Sequence, residues 1–179
     1  VADLTKKIGG DAISLTTLAG PGADAHTFEP SAEAQRAVAG ARLVVANGLG
    51  FEPWLDRLLG AAGFTGDLVI ATKGIEPLAW AAEGAHDHKE GAAEGAESGH
   101  DHDHDHEAVD PHAFQDPKLV LTYIDNIEAG LAAADPGHAN DFAVNADALK
   151  AEFKKLDAEL LASLGAIPPQ DRRILTSHD

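Results

Sequence analysis

The sequence contains no cysteine and no methionine, and it has few basic residues. Without thiolates, a disulfide framework and a cysteine metal site are excluded, so any metal ion must be held by histidine and carboxylate side chains. The 13 lysines and arginines are outnumbered by 30 acidic residues, which gives a formal net charge of −17. This balance argues against nucleic acid and anionic membranes as partners, because phosphate binding needs clustered lysine and arginine.

Long apolar runs are also absent, and none approaches the roughly 18 residues that a membrane-spanning helix needs. The 179 residues, 44% of them hydrophobic, suffice for one domain with its own core. Since a complete natural chain begins with methionine and no signal peptide is visible, we expect a processed product or a fragment. The final DRRILTSHD favours a fragment, because it is typical of a strand that runs into the chain end.

Strand and helix patterns alternate along the first part of the chain. A helix ends at Gly9 and Gly10, and Ser31 is the predicted N-cap of another. Strands are predicted over 12–20, 42–48 and 67–72, with a further helix over 51–63. Such alternation with short loops predicts an α/β fold with a parallel sheet.

The second half carries two strong helix patterns. Asp116 and Pro117 fit the N-cap and first position of one helix. The other, over 137–164, has an apolar stripe and would be about 40 Å long, which suggests a spine between two lobes. The stripe comprises Phe142, Leu149, Phe153, Leu156, Leu160 and Leu164. We predict an N-terminal α/β lobe over 1–136, a linking helix over 137–165 and the start of an otherwise absent C-terminal lobe over 166–179.

Six of the ten histidines lie in a segment of Gly, Ala, Glu, Asp and His over 81–110, which we interpret as a flexible loop. They are His86, His88, His100, His102, His104 and His106. Their imidazoles, surrounded by acidic residues, predict weak and exchangeable metal binding. The alternative is a solvated acidic linker without a metal role.

The other histidines lie at the boundaries of predicted elements. His26, His112 and His178 each border a strand or a helix, and the ends of parallel strands are where ligands bind. These three side chains are therefore candidates to converge, although a single such histidine is more often a capping or surface residue. His138, beside Pro136 at the start of the long helix, is interpreted as structural.

Two motifs resemble those of zinc-binding periplasmic solute-binding proteins of ABC transporters, the ZnuA and AztC type of cluster A-I. They are GADAHTFEP at 22–30 and NGLGFEPW at 47–54. The acidic histidine-rich insertion, the VDPHAFQDPK segment, the long helix and the ILTSHD end follow in the order found in that family. The resemblance covers essentially the whole chain.

The resemblance implies that His26, His112 and His178 are ligands of Zn²⁺, with a fourth, carboxylate ligand in the C-terminal lobe. Manganese-type relatives carry a glutamate at the position of His178, so a third imidazole favours zinc. Each ligand should be neutral and oriented by a partner on its other ring nitrogen, and binding should weaken below about pH 6. Candidate partners are Asp24, Glu29, Asp110 and Asp116.

The resemblance further implies a monomeric, non-enzymatic periplasmic carrier that captures zinc and delivers it to an ABC-transporter permease. The histidine-rich loop would collect zinc or dock a donor such as a periplasmic zinc chaperone. A zinc buffer acting through that loop and a manganese-type binding protein are the alternatives. An enzyme is disfavoured because no His-Glu-x-x-His helix is present.

Overall fold

The computed structural model describes residues 1–20, 22–78 and 109–173. The described chain runs through seven main elements in sequence order: α1 (Ala2–Gly9), α2 (Ala32–Ala39), β1 (Leu43–Ala46), α3 (Leu55–Ala62), β2 (Asp67–Ile70), α4 (Pro117–Ala134) and α5 (Ala139–Gly165). Single 3₁₀ turns lie at Gly10–Ala12, Ala113–Gln115, Pro136–His138 and Pro169–Asp171. None of the described helices is long and apolar enough to cross a membrane.

The sheet is parallel, as the alternating pattern predicts. Strand β1 pairs with β2 from Leu43 opposite Asp67 to Ala46 opposite Ile70. Helix α3 makes the crossover between them, which parallel strands require because their ends lie far apart. Both strands therefore end at the same edge of the sheet.

Two apolar clusters cover the two faces of this sheet, because successive strand residues point to opposite sides. Val44 and Ala46 belong to the cluster formed with α2 and α3. Leu43 and Val45 pack instead against the cluster formed with α1, α4 and α5. Helix α4 lies so close to β2 that a Cβ atom at Gly130 would overlap the Val69 side chain.

The predicted helix starts are confirmed by their capping contacts. Ser31 Oγ accepts a hydrogen bond from Ala34 N at 3.2 Å at the start of α2. Asp116 Oδ1 accepts one from Lys118 N at 2.8 Å at the start of α4, with Pro117 as the first helical residue. Each cap satisfies a backbone N–H that the first helical turn leaves without an intrahelical acceptor.

The long helix is confirmed as α5, and its apolar stripe has two environments. Phe142 and Leu149 in its first half are buried against α1 and α4. Leu156, Leu160 and Leu164 in its second half are 41–51% exposed.

The strand predicted over 12–20 is wrong. Ile13 has extended backbone angles, φ −120° and ψ 146°, but no strand forms there among the described residues. Ile13 packs against one apolar cluster and Leu18 against the other, while Leu15 is exposed. The apolar spacing therefore reflects anchoring of a loop to two separate clusters rather than one face of a paired strand.

Most of the predicted loop over 81–110 lies outside the described residues, which resume at Val109. The strand predicted at the chain end also lies outside them, apart from residues 171–173.

Candidate metal centre

Two histidines that are 86 positions apart in the sequence meet at one edge of the fold. His26 Nε2 lies 3.5 Å from His112 Nε2, and the ring centroids are 5.5 Å apart. His112 is buried, and His26 is half-buried. The structure thus brings together two of the three histidines predicted to converge.

His112 is held by Asp110, one of its predicted partners. Asp110 Oδ1 accepts a hydrogen bond from His112 N and also lies 2.8 Å from His112 Nδ1. Burial alone would raise the pKa of Asp110, but the hydrogen bonds from His112 outweigh it and hold that pKa below its usual range. A carboxylate at Nδ1 favours the tautomer with the proton there, which gives Nε2 the lone pair that binds a metal.

The loop that carries His26 is closed by short local contacts. Asp24 Oδ1 accepts from His26 N at 2.9 Å, and Asp24 Oδ2 accepts from Thr27 Oγ1 at 3.0 Å. Trp54 Nε1 donates to the carbonyl of Ala25 at 2.6 Å, which ties this loop to the start of α3. Asp24 therefore contacts the backbone of His26, as a residue that shapes the loop.

The segment that carries His112 is connected to the sheet through Asn47, a fully buried residue that directly follows β1. Its Nδ2 donates to the carbonyl of Pro111, the neighbour of His112, at 3.0 Å. Its Oδ1 accepts from Tyr123 Oη at 2.8 Å, and its carbonyl accepts from Thr72 Oγ1 at 2.6 Å. Asn47 thus fixes the backbone beside His112 to α4 and to the segment that follows β2.

A tight loop after Asn47 brings further side chains to the site. Gly48, Leu49 and Gly50 have φ values of 89°, 56° and 76°. Glu52 closes the loop, because its carboxylate oxygens accept from Asn47 N at 2.8 Å and Gly48 N at 3.1 Å. The NGLGFEPW motif is therefore a compact turn at the carboxyl end of β1.

Two phenylalanines that the sequence reasoning did not select border the histidines. Phe51 lies edge-on to His26 with a centroid distance of 4.7 Å, and Phe114 lies 5.8 Å from His112. Phe51 belongs to the NGLGFEPW motif and Phe114 to the VDPHAFQDPK segment. Their positions inside these two segments were the sequence signal that could have identified them.

The other predicted site residues are placed differently. His178 and the six loop histidines lie outside the described residues. Glu29 is exposed, and Asp116 caps α4. His138 Nδ1 contacts Asp135 Oδ2 at 2.8 Å at the start of α5, in keeping with a structural role.

In the part of the chain that the structure describes, no group of three or more histidine, aspartate or glutamate side chains is arranged to hold a metal ion.

The His26–His112 pair has a geometry that suits a tetrahedral metal ion. Two Zn–N bonds of about 2.0–2.1 Å at a tetrahedral angle place the nitrogens about 3.3 Å apart. The observed 3.5 Å separation is close to that value. The same distance also suits a hydrogen bond between a protonated and an unprotonated Nε2.

Comparison with known proteins identifies relatives along the whole chain. The family described as "ZnuA: Zinc-uptake complex component A periplasmic" matches residues 1–179. The iron-binding protein YfeA of Yersinia pestis is 30% identical over 99% of this chain and 50% of its own length. The manganese-binding lipoprotein MntA of Halalkalibacterium halodurans is 26% identical over all of this chain and 52% of its own.

Solved structures show the same fold. A zinc-bound crystal structure of a ZnuA deletion mutant superposes with a TM-score of 0.74 at 30% identity, over 92% of this chain and 55% of the other. The chain therefore spans about half the length of the proteins it matches. The named metals of these relatives are iron, manganese and zinc.

Proposed function

Because the chain belongs to the ZnuA family of periplasmic metal-binding proteins, we propose that it captures Zn²⁺ as cargo for the permease of an ABC transporter. His26, His112 and His178 are the protein ligands in this proposal, and a carboxylate completes the site. The protein acts as a monomeric periplasmic carrier and catalyses no reaction. The family supports metal binding, whereas the metal, the ligands and the permease partner are the proposal.

One observation carries this proposal: the 3.5 Å approach of His26 Nε2 to His112 Nε2. Holding two imidazoles this close together costs conformational entropy. The free energy of binding a shared metal ion would offset that cost. Asp110 at His112 Nδ1 supplies the carboxylate–histidine arrangement that orients metal ligands in proteins.

Zinc is proposed over iron and manganese because of the donor atoms. Three imidazole nitrogens suit zinc, whereas a harder ion such as manganese favours carboxylate and water oxygens. Relatives named for iron and manganese make these two ions the competitors to compare with zinc. The six histidines of the loop over 81–110 would add weak, exchangeable sites that raise the local zinc concentration, or a docking place for a zinc donor.

A zinc titration of the 179-residue chain tests the proposal. Competition with a chelator of known affinity should resolve one tight site, separate from several weak ones. We expect His26→Ala and His112→Ala each to weaken the tight site at least tenfold. Deletion of residues 86–106 should remove the weak sites and leave the tight one.

His138→Ala is the matched control, since His138 is also a histidine beside an aspartate but lies at the start of α5. It should bind zinc as the unmodified chain does, with unchanged circular dichroism. If the tight site instead disappears with residues 86–106 and survives His112→Ala, the protein is a zinc buffer acting through its loop. Tighter binding of manganese than of zinc would make it a manganese-type protein.

A further inference from the structure

We infer that Phe51 and Phe114 form an aromatic wall that blocks small competing ligands from reaching the metal held by His26 and His112. This inference rests on the proposed function and adds two residues that control metal exchange. Neither phenylalanine has a donor atom for a metal, so their role follows from the space they occupy.

The wall is part of a closed set of four rings, named here the four-ring cluster: His26, Phe51, Phe114 and His112. Centroid distances around it are 4.7 Å from His26 to Phe51, 5.5 Å from Phe51 to Phe114 and 5.8 Å from Phe114 to His112. The circuit closes at 5.5 Å between the two histidines. Each pair of neighbours around this circuit meets edge to face, with interplanar angles from 65° to 74°.

Phe51 is the central member, because it contacts both imidazoles. Its ring lies 5.8 Å from that of His112 at 86°, in addition to its contact with His26. The backbone holds it there, since Phe51 N donates to the carbonyl of Gly48 at 3.1 Å inside the turn that Glu52 closes. Phe51 therefore occupies volume next to both ligands that water would otherwise fill.

Phe114 forms the outer part of the wall. It lies in the 3₁₀ turn that directly follows His112, and its side chain is 38% exposed. Leaving part of a large apolar residue in water is unfavourable, and its ring contacts with Phe51 and His112 offset only part of that cost. Phe114 therefore packs one side of its ring against the imidazole of His112 while part of the residue faces solvent.

The physical consequence concerns how a bound metal exchanges its ligands. An apolar shell around a metal site limits the access of solvent and lowers the local dielectric constant. A chelator that attacks the metal directly needs an open approach, which the four-ring cluster closes on one side. A chelator can then attack only from the sides that the cluster leaves open, so release from the intact protein rises less steeply with chelator concentration than release from a variant without the wall.

Stopped-flow transfer of zinc from the loaded 179-residue chain to EDTA tests this inference. The unmodified chain should release zinc slowly, at a rate that rises only weakly with EDTA concentration. Phe51→Ala and Phe114→Ala should release it at least tenfold faster at the highest EDTA concentration, with a rate that rises with that concentration. Phe114→Leu should restore slow release, because leucine keeps most of the apolar volume.

Phe153→Ala is the matched control, a partly buried phenylalanine that packs against the core from α5. It should leave the release rate unchanged. Faster release that is independent of EDTA concentration would mean general loosening and would overturn the inference, as would unchanged rates in both alanine variants. These outcomes leave the proposed function intact, whereas tight zinc binding by His112→Ala would overturn both.

Discussion

At the scale of single residues, Tyr123 offers a direct probe of the core because it is the chain's one tyrosine. Burial, followed by the negative charge of Glu52, raises its pKa to about 12. We expect its ultraviolet tyrosinate absorbance to titrate with a midpoint near 12 in the folded protein. After unfolding in urea the midpoint should return to about 10.

The raised pKa of Tyr123 also predicts how stability depends on pH. The unfolded chain loses the phenol proton at lower pH than the folded chain does, so ionisation favours unfolding. The stabilisation is fully present below about pH 10 and is lost as the pH rises through about 12. Urea midpoints measured across this range should fall, and Tyr123→Phe should flatten the decline. An equal decline in Tyr123→Phe would contradict this assignment.

Gly48 and Gly50 allow backbone strain and steric overlap to be separated. Both have positive φ, but a Cβ at Gly48 would overlap the Ile70 side chain and lie 2.6 Å from Thr72 Oγ1. At Gly50 no heavy atom lies within 4 Å of the added Cβ. Gly50→Ala should therefore cost about 1 kcal/mol from its backbone angle alone, and Gly48→Ala about 3 kcal/mol or more. Denaturant unfolding measures the loss of unfolding free energy in each variant. Equal losses would show that the neighbours of Gly48 move enough to remove the overlap.

At the scale of elements, the cap of α4 supports the segment that carries His112. Asp116→Ala removes the acceptor of the Lys118 N–H and should lower the free energy of unfolding by about 1 kcal/mol. Asp116→Asn keeps an acceptor oxygen and should lose much less. Thermal unfolding at neutral pH measures the difference. Equal losses in the two variants would indicate that charge at the helix start, rather than the hydrogen bond, is responsible.

Local chemistry explains which elements were predictable. Ser31, Asp116 and Pro117 mark helix starts through contacts within their own turns, so the sequence alone locates α2 and α4. The segment over 12–20 has an equally clear apolar pattern but no paired strand among the described residues. Its structure depends on which clusters Ile13 and Leu18 reach, and this is information that a local pattern does not contain.

The same distinction applies to the candidate site. His26 and His112 were predictable from motif resemblance and from their positions at element ends. The contacts of Asn47, the first residue of the NGLGFEPW motif, were not, because they are hydrogen bonds to Pro111 and Tyr123, 64 and 76 positions away. Contacts of that range follow from the packing of β1 against α4 rather than from spacing.

At the scale of the whole molecule, the candidate site joins the two apolar clusters. The loop of His26 is tied by Trp54 to the cluster of α2 and α3, while His112 precedes α4 in the other cluster. A metal ion held by both histidines would therefore link the two faces of the sheet. Binding to the folded state alone should then stabilise the chain as a unit, rather than one loop.

Zinc should accordingly raise the unfolding temperature of the 179-residue chain. A ligand at 100 times its dissociation constant contributes about 2.7 kcal/mol when it binds only the folded state. We expect a concentration-dependent shift with zinc that is retained after deletion of residues 86–106 and is much smaller in His26→Ala.

Manganese at the same concentration should produce a smaller shift, because oxygen ligands suit it better than imidazoles do. His178→Glu should reduce or reverse the difference between the zinc and manganese shifts. His138→Ala should leave that difference unchanged. Differential scanning calorimetry with each metal provides the comparison. A zinc shift that is as large in His26→Ala as in the unmodified chain would mean that the metal stabilises the chain elsewhere. A manganese shift at least as large as that of zinc in the unmodified chain would contradict the selectivity expected of three imidazole ligands.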